Sequence, residues 1–168
     1  YGGAGNDYLK SEYLILSLNN TTDSLYGGTG NDVYISYDIN LPNIIEYNSE
    51  GTDRVVIKSS SLGHTSSSRE YQLADNVEEL FYNGDSKSTN TLRGNNLDNV
   101  ILGAGGGDDI IYGGLGADTF LLYAGMGNDT VKDFSKSQGD KVKPYTESTS
   151  YDYFETSSGA IFTLSDNS

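Results

Sequence analysis

Five aspartates of this chain, Asp7, Asp32, Asp109, Asp118 and Asp129, each follow a cluster of glycines and precede a short apolar run. The fullest copies run Gly2 to Lys10, Gly27 to Ile35 and Gly113 to Leu121, and all three fit GGxGxDxUx, where U is a large apolar residue. Two flanking units keep part of the pattern. Ala104 to Tyr112 retains Gly105, Gly107, Asp109 and Ile111, and Ala124 to Lys132 retains Gly125, Gly127, Asp129 and Val131. Glycine adopts positive φ and admits close backbone approach, so a GGxG run can curl until several carbonyls point at one spot. The acid two residues on adds a carboxylate. A donor set of oxygens alone, with no His or Cys, suits a hard cation; calcium accepts the irregular six- to eight-fold geometry of such a loop, whereas magnesium demands a tighter octahedron.

The apolar U between polar neighbours reads as a very short strand with one side chain facing inward. Loop and strand in alternation make a solenoid. Residues 36 to 93 carry no GGxG, but NIIEY, DRVVIKSS, EYQL and EELFY are strand-like runs separated by turn-rich NSEGTD, SLGHTSSS and NGDSKSTN, as expected where a roll widens. Gly51, Thr52, Asp53 and Val55 echo the GxDxU half of the unit, which makes Asp53 a further candidate ligand.

Composition narrows the function classes. The chain has 168 residues, 24 acids against 10 Lys and Arg, a formal charge of -14 and no cysteine. Nucleic acid and anionic membrane are poor partners for such a charge, and cations are natural ones. Neither disulfides nor thiolate metal sites are available to hold the fold. No apolar run reaches the ~18 residues of a membrane span. A single His64 in a serine-rich loop, with no HExxH and no GxSxG, offers no catalytic constellation. The expectation is therefore a non-enzymatic module. Because Tyr1 opens in mid-motif, the chain reads as part of a longer polypeptide.

The nonapeptide resembles the repeats-in-toxin (RTX), or hemolysin-type, calcium-binding repeats of bacterial proteins exported by type I secretion. The resemblance implies an all-β fold: a right-handed parallel β-roll or β-helix solenoid with calcium-binding GGxGxD loops and a C-terminal capping segment. Two units make one turn, and each of several calcium ions sits between a loop and the loop roughly 18 residues further on. Carried onto this sequence, Asp7, Asp32, Asp109, Asp118 and Asp129 become carboxylate ligands. Carbonyls come from Gly2 and Ala4, Gly27 and Thr29, Gly105 and Gly107, Gly113, Gly114 and Gly116, and Gly125 and Gly127. Gly94 to Leu102 is a variant unit in which Asn99 offers a neutral oxygen in place of the acid. The spacing from Gly2 to Gly27, 25 residues, departs from the expected turn, and Leu18 to Tyr26 has lost its glycines. TVKDFSKSQGDKV, Thr130 to Val142, is similar to the segment that ends such rolls, with Asp133 and Asp140 closing the last turn and Phe134 and Val142 plugging the open end.

The organisation implied is one module over 1–142, with repeat blocks at 1–35 and 94–132 around a wider segment at 36–93, followed by a cap or hairpin with a frayed end at 143–168. The expected role is a secreted, calcium-binding module, monomeric, that folds on calcium after export and stabilises the rest of its parent polypeptide. The alternative is a module that binds extracellular polysaccharide or a cell surface.

Overall fold

The computed structural model describes residues 1–10, 24–37, 41–58, 68–84, 88–103, 107–122, 127–145, 152–156 and 159–163. His64, the serine-rich loop around it, and the glycines Gly105 and Gly125 lie outside the described residues. In chain order the strands are β1 (Gly3–Ala4), β2 (Tyr8–Lys10), β3 (Ser24–Tyr26), β4 (Gly28–Thr29), β5 (Val33–Ser36), β6 (Asn43–Ile45), β7 (Arg54–Lys58), β8 (Glu70–Gln72) and β9 (Glu79–Asn83). They continue with β10 (Thr91–Arg93), β11 (Val100–Leu102), β12 (Ile110–Tyr112), β13 (Thr119–Leu122), β14 (Thr130–Val131), β15 (Lys141–Pro144), β16 (Asp152–Thr156) and β17 (Gly159–Thr163).

From β5 to β15 successive strands fall alternately on two faces, and each pairs in parallel with a strand one turn away. One face is the seven-stranded sheet β2-β5-β7-β9-β11-β13-β15; the other carries β8-β10-β12-β14, with β3 and β6 paired separately. The chain is therefore a parallel β-solenoid. Its register is dictated by the U residues. Leu9, Tyr34, Val55, Leu80, Ile101, Phe120 and Val142 are in line along the first sheet, and Tyr71, Leu92, Ile111 and Val131 along the second. Apart from the partly buried Val142, these are the buried core. A slip of one residue would turn each row into solvent, so the apolar row and not the loop length sets the pairing.

That explains the unequal turns. The chain advances 19 to 25 residues between equivalent positions, more than two nonapeptides, and the surplus lies between strands where loop closure costs little. The offset of 25 residues between the first two repeats does not unstack them: Gly3 pairs with Gly28 and Ala4 with Thr29. In the middle segment β7 and β9 are five residues long and each turns two apolar side chains inward, Val55 with Ile57 and Leu80 with Tyr82. At the C-terminal end β16 and β17 form an antiparallel hairpin, and β17 pairs antiparallel with β14. The edge of the second sheet is thereby covered, which blunts it against pairing with another chain.

Core positions so closely stacked predict a measurable cost for one lost methylene. Ile101→Val, at a fully buried position, should lower the stability of the calcium-loaded chain by about 1 kcal/mol, read from thermal or denaturant unfolding.

Candidate metal centre

Each strand of the first sheet is preceded by a loop, six residues long before β9, β11 and β13, eight before β7 and nine before β15, and the last residue before the strand is Asp7, Asp32, Asp53, Glu78, Asn99, Asp118 or Asp140. These seven side chains stack along one edge of the solenoid. The N–H of Asp7 donates to Asp32 Oδ1 at 2.7 Å, that of Asp32 to Asp53 Oδ1 at 2.8 Å, and that of Asp53 to Glu78 Oε2 at 2.8 Å. Further along, the N–H of Asn99 donates to Asp118 Oδ1 at 2.8 Å and that of Asp118 to Asp140 Oδ1 at 3.0 Å. The opposite edge repeats the device: the N–H of Asn90 donates to Asp109 Oδ1 at 2.7 Å and that of Asp109 to Asp129 Oδ1 at 2.9 Å. Asp32, Asp53, Glu78, Asp109, Asp118 and Asp129 thus each anchor the turn beside them through one oxygen.

The second oxygen is left over. Asp7 Oδ2, Asp32 Oδ2, Asp109 Oδ2, Asp118 Oδ2, Asp129 Oδ2 and Glu46 Oε2 are buried and accept no hydrogen bond. A buried anionic oxygen without a partner carries a large desolvation cost, which a bound cation removes. The glycines leave space for one. A Cβ built on Gly2 would lie 2.6 Å from both Asp7 Oδ2 and the Gly27 carbonyl, so a carboxylate and a carbonyl from adjacent turns converge there. At Gly113 a Cβ would overlap Asp118 Oδ2, and at Gly27 it would overlap Asp32 Oδ2. Among the described residues the donors are oxygens, which fits calcium.

Burial also moves the protonation equilibria. Desolvation is the largest cause in each case: it raises Asp53, Asp109 and Asp118 to about 6, Glu46 to about 7 and Asp129 to about 8. Backbone N–H donors pull the four aspartates partly back. Without a counter-ion these carboxylates ionise at higher pH than exposed ones, and Glu46 and Asp129 only near or above neutrality.

One turn is held differently. Asn99 Oδ1 accepts the N–H of Asn95 at 2.8 Å, and its Nδ2 reaches the carbonyls of Val77 and Glu78, each at 3.3 Å. Asn95 Nδ2 donates to the carbonyls of Ala74 and Val77, each at 2.8 Å. Amide N–H groups here satisfy the carbonyls that a cation would otherwise draw together, and the buried Leu73 stands where the loops before β5, β11 and β13 begin with glycine. The structure therefore gives Asn99 the task of an internal clamp.

Asp133 and Asp140 are bonded to the backbone of the final turns. The N–H groups of Gly113 and Gly114 donate to the two oxygens of Asp133 at 2.9 and 3.0 Å. Asp140 accepts from Asp118 N–H and, at 2.7 Å, from Ser135 N–H. Both oxygens of each are engaged by backbone, so these acids fasten the final turn. Replacing Asp133 by Ala strands two N–H donors and should cost about 1–3 kcal/mol of stability without changing the number of calcium ions bound, as read by equilibrium dialysis. Phe134 packs against Phe120 with ring centroids 6.1 Å apart, and Phe134 and Val142 are packed on the core.

The remaining candidate carbonyls fall in the same stacked loops. Gly27 and Thr29 carbonyls accept the N–H groups of Gly3 and Gly5, Ala4 lies beside Thr29, and Gly114, Gly116 and Gly127 hold positive φ. Gly107, ahead of Asp109, is buried.

Several participants were not evident from the motif. Glu78 extends the acid row from a loop with no glycine at all. Glu46 enters from the end of β6. An outer row runs opposite to the inner one: Asn31 N–H donates to Asn6 Oδ1 at 2.9 Å, Thr52 N–H to Asn31 Oδ1 at 3.0 Å, Ala117 N–H to Asp98 Oδ1 at 2.8 Å, and Asn128 N–H to Asp108 Oδ1 at 2.9 Å. The signal for it was the Asn or Asp directly before most of the acids.

A parallel β-solenoid whose turns are fastened by stacked acidic loops, several of them with an unpartnered buried carboxylate oxygen, defines a cation-binding repeat module. The family model for the RTX calcium-binding nonapeptide repeat matches it in four copies, over residues 1–11, 18–35 and 88–120. These segments match that repeat family, whose repeats bind calcium ions, occur in secreted proteins and serve as structural and not catalytic units. The matched span includes Leu18 to Tyr26, the unit that lacks glycines. Comparison with curated proteins and with solved structures gave no match. Among the described residues no helix is long and apolar enough to cross a membrane.

Proposed function

We propose that this chain is a calcium-driven folding module of a bacterial protein exported by type I secretion, and that it stabilises the longer polypeptide outside the cell. The observation that supports this best is the set of buried, unpartnered carboxylate oxygens repeated in register along the solenoid. Asp7, Asp32, Asp53, Asp109, Asp118 and Asp129 would hold calcium, with carbonyls of the adjacent glycine loops. Calcium supplies the positive charge that draws two acidic turns together. The chain's own contribution is the register: rows of inward apolar residues bring each acid beside the next, and backbone N–H donors fix one oxygen of each carboxylate so that the other is aimed.

A formal charge of -14 opposes compaction, and each divalent ion offsets two negative charges, so binding free energy becomes folding free energy. Where calcium is scarce the chain stays open; where it is plentiful the solenoid closes. Residues 1–142 form the solenoid in this reading and 143–168 its cap, in a monomer without nucleic-acid or membrane partners.

Polysaccharide or cell-surface binding has weaker support. An open groove of about 430 Å³ lies at the end of the second sheet, lined in part by Gln72, Arg93, Tyr112 and Asp133. Its aromatic face is already covered, because the Arg93 guanidinium sits 3.9 Å from the Tyr112 ring centroid.

The test is a calcium titration of the chelated chain by calorimetry and circular dichroism, with magnesium as control. Cooperative binding that magnesium does not reproduce, shifted to higher calcium by Asp118→Ala, is the expected result. Absence of calcium binding in the wild type would overturn the reading.

A further inference from the structure

We propose that Glu46, together with Asp32 and Asp53, forms a three-carboxylate divalent-cation site, and that it is the tightest cation site of the chain. The proposal rests on the calcium-binding reading above and adds to it a ligand that the nonapeptide pattern does not contain. In turns built on the full pattern, the residue that follows the second-face strand is a glycine, as with Gly27 after β3 and Gly113 after β12. After β6 that residue is Glu46. Its side chain therefore starts from the position whose missing Cβ opens the cradle elsewhere, and it reaches back over the neighbouring turn.

The geometry of the cluster is specific. Carboxylate oxygens of Asp32, Glu46 and Asp53 lie within 4.8 Å of one another, and the three residues are 1, 5 and 1 % exposed. A Cβ built on Gly27 would overlap Asp32 Oδ2, Glu46 Oε1 and the Tyr34 hydroxyl together, so oxygens from three parts of the chain face one space. Asp32 Oδ1 and Asp53 Oδ1 are held by the N–H groups of Asp7 and Asp32. Glu46 Oε1 accepts the Tyr34 hydroxyl, and the Glu46 carbonyl accepts Asn76 Nδ2 at 2.9 Å. After these bonds Glu46 Oε2 and Asp32 Oδ2 still have no partner.

Among the described residues no basic side chain is ion-paired with the three. The adjacent Arg54 is spent on the outer face, where its guanidinium pairs with Glu79 and lies 4.2 Å from the Phe81 ring centroid. Glu50 and Glu78 stand nearby and add negative charge. Three converging carboxylates in a site of fixed oxygens favour a hard ion of high charge, and ligand charge count together with rigidity is what tightens calcium sites. Among the described residues no other three carboxylates converge in this way, so this site should fill first.

Tyr34 provides a reporter, since a tyrosine touching a ligand carboxylate transfers excitation to a bound terbium ion. The experiment is a terbium titration of the full chain, followed by tyrosine-excited emission, with calcium competition and circular dichroism to verify folding. The first phase in the wild type should be emissive. Tyr34→Phe should dim that phase, and Glu46→Gln should weaken it by roughly tenfold or more, with Asp118→Asn acting on later phases. If Glu46→Gln fails to fold in excess calcium, Glu46→Asp keeps the charge and withdraws the carboxylate by one methylene, and it should weaken the same phase. A Glu46→Gln or, where needed, Glu46→Asp titration superimposed on the wild type, or a first phase whose emission survives Tyr34→Phe, overturns the proposal while leaving the calcium module intact. A wild-type chain that binds neither terbium nor calcium would overturn both.

Discussion

With calcium chelated, the β signal of the chain should be nearly absent above pH 8 and should return on acidification, the reverse of ordinary acid denaturation. The sign follows from burial. In the unfolded chain carboxylates titrate near 4, whereas desolvation holds Asp53, Asp109 and Asp118 at about 6, Glu46 at about 7 and Asp129 at about 8 in the folded form. The folded state therefore binds more protons across this interval. Raised carboxylates contribute stability that is fully present below about pH 4 and is lost as pH rises through the folded values, from about 6 to about 8. Protons thus do crudely what calcium does, since each removes the charge on an oxygen that has no other partner. Calcium acts in the opposite pH direction, because its ligands must be deprotonated, and its midpoint should move to higher concentration in acid. Circular dichroism against pH, with and without chelator, reads both trends. A chelated chain that is fully folded above pH 8, or that loses structure as acid is added from there to about pH 5, would contradict the assignment of these carboxylates.

Much of this was legible in the sequence because the repeat couples two independent periodicities. The U residue reports the core: Leu9, Tyr34, Ile111, Phe120 and Val131 could be placed inward from the motif alone, and they are buried. The Asp at the sixth position reports the turn edge. Asp53 was readable from half a motif, since Gly51 and Val55 kept their places around it. Glu78 was not, because LADNVE shares no glycine with the pattern and only its place before β9 puts it in the row. Glu46 was hidden for a different reason. Its carboxylate joins a site whose other members lie 14 residues before it and 7 after it, and only the stacking of turns brings them together. Asn99 shows a limit of the sequence: an amide oxygen can bind calcium, but an amide also carries two N–H donors, and only the structure shows that these meet the carbonyls of Val77 and Glu78. Asp133 and Asp140 show the same limit, since sequence places an acid at the last turn without telling whether its oxygens face a cation or a backbone N–H.

Gly113→Ala should raise the calcium needed for folding by on the order of tenfold, whereas Gly5→Ala should leave the site itself untouched. Both replace a motif glycine by one methyl group, but they test different physical roles. Gly113 does not hold a positive φ, so alanine suits its backbone. Its Cβ would overlap Asp118 Oδ2 and lie 3.0 Å from the Phe120 ring. The methyl group therefore occupies the space into which the unpartnered oxygen points. Asp118 is held on its other oxygen by Asn99 N–H at 2.8 Å, so the carboxylate cannot withdraw without breaking that bond, and the fully buried Phe120 cannot yield. Gly5 is the complement. It holds φ +110, and a Cβ there meets nothing within 4 Å. Alanine at that position suffers backbone strain alone, about 1–2 kcal/mol, spread over the whole folding equilibrium. The two variants separate when ion binding is followed at saturating and at limiting calcium. Gly5→Ala should lower thermal stability at both and keep the wild-type number of ions. Gly113→Ala should approach wild-type stability only at saturation, or lose one ion outright. Equal behaviour of the two would mean that the glycines of this motif serve backbone conformation only, and that the cradle beside Asp118 is not where the cation is held.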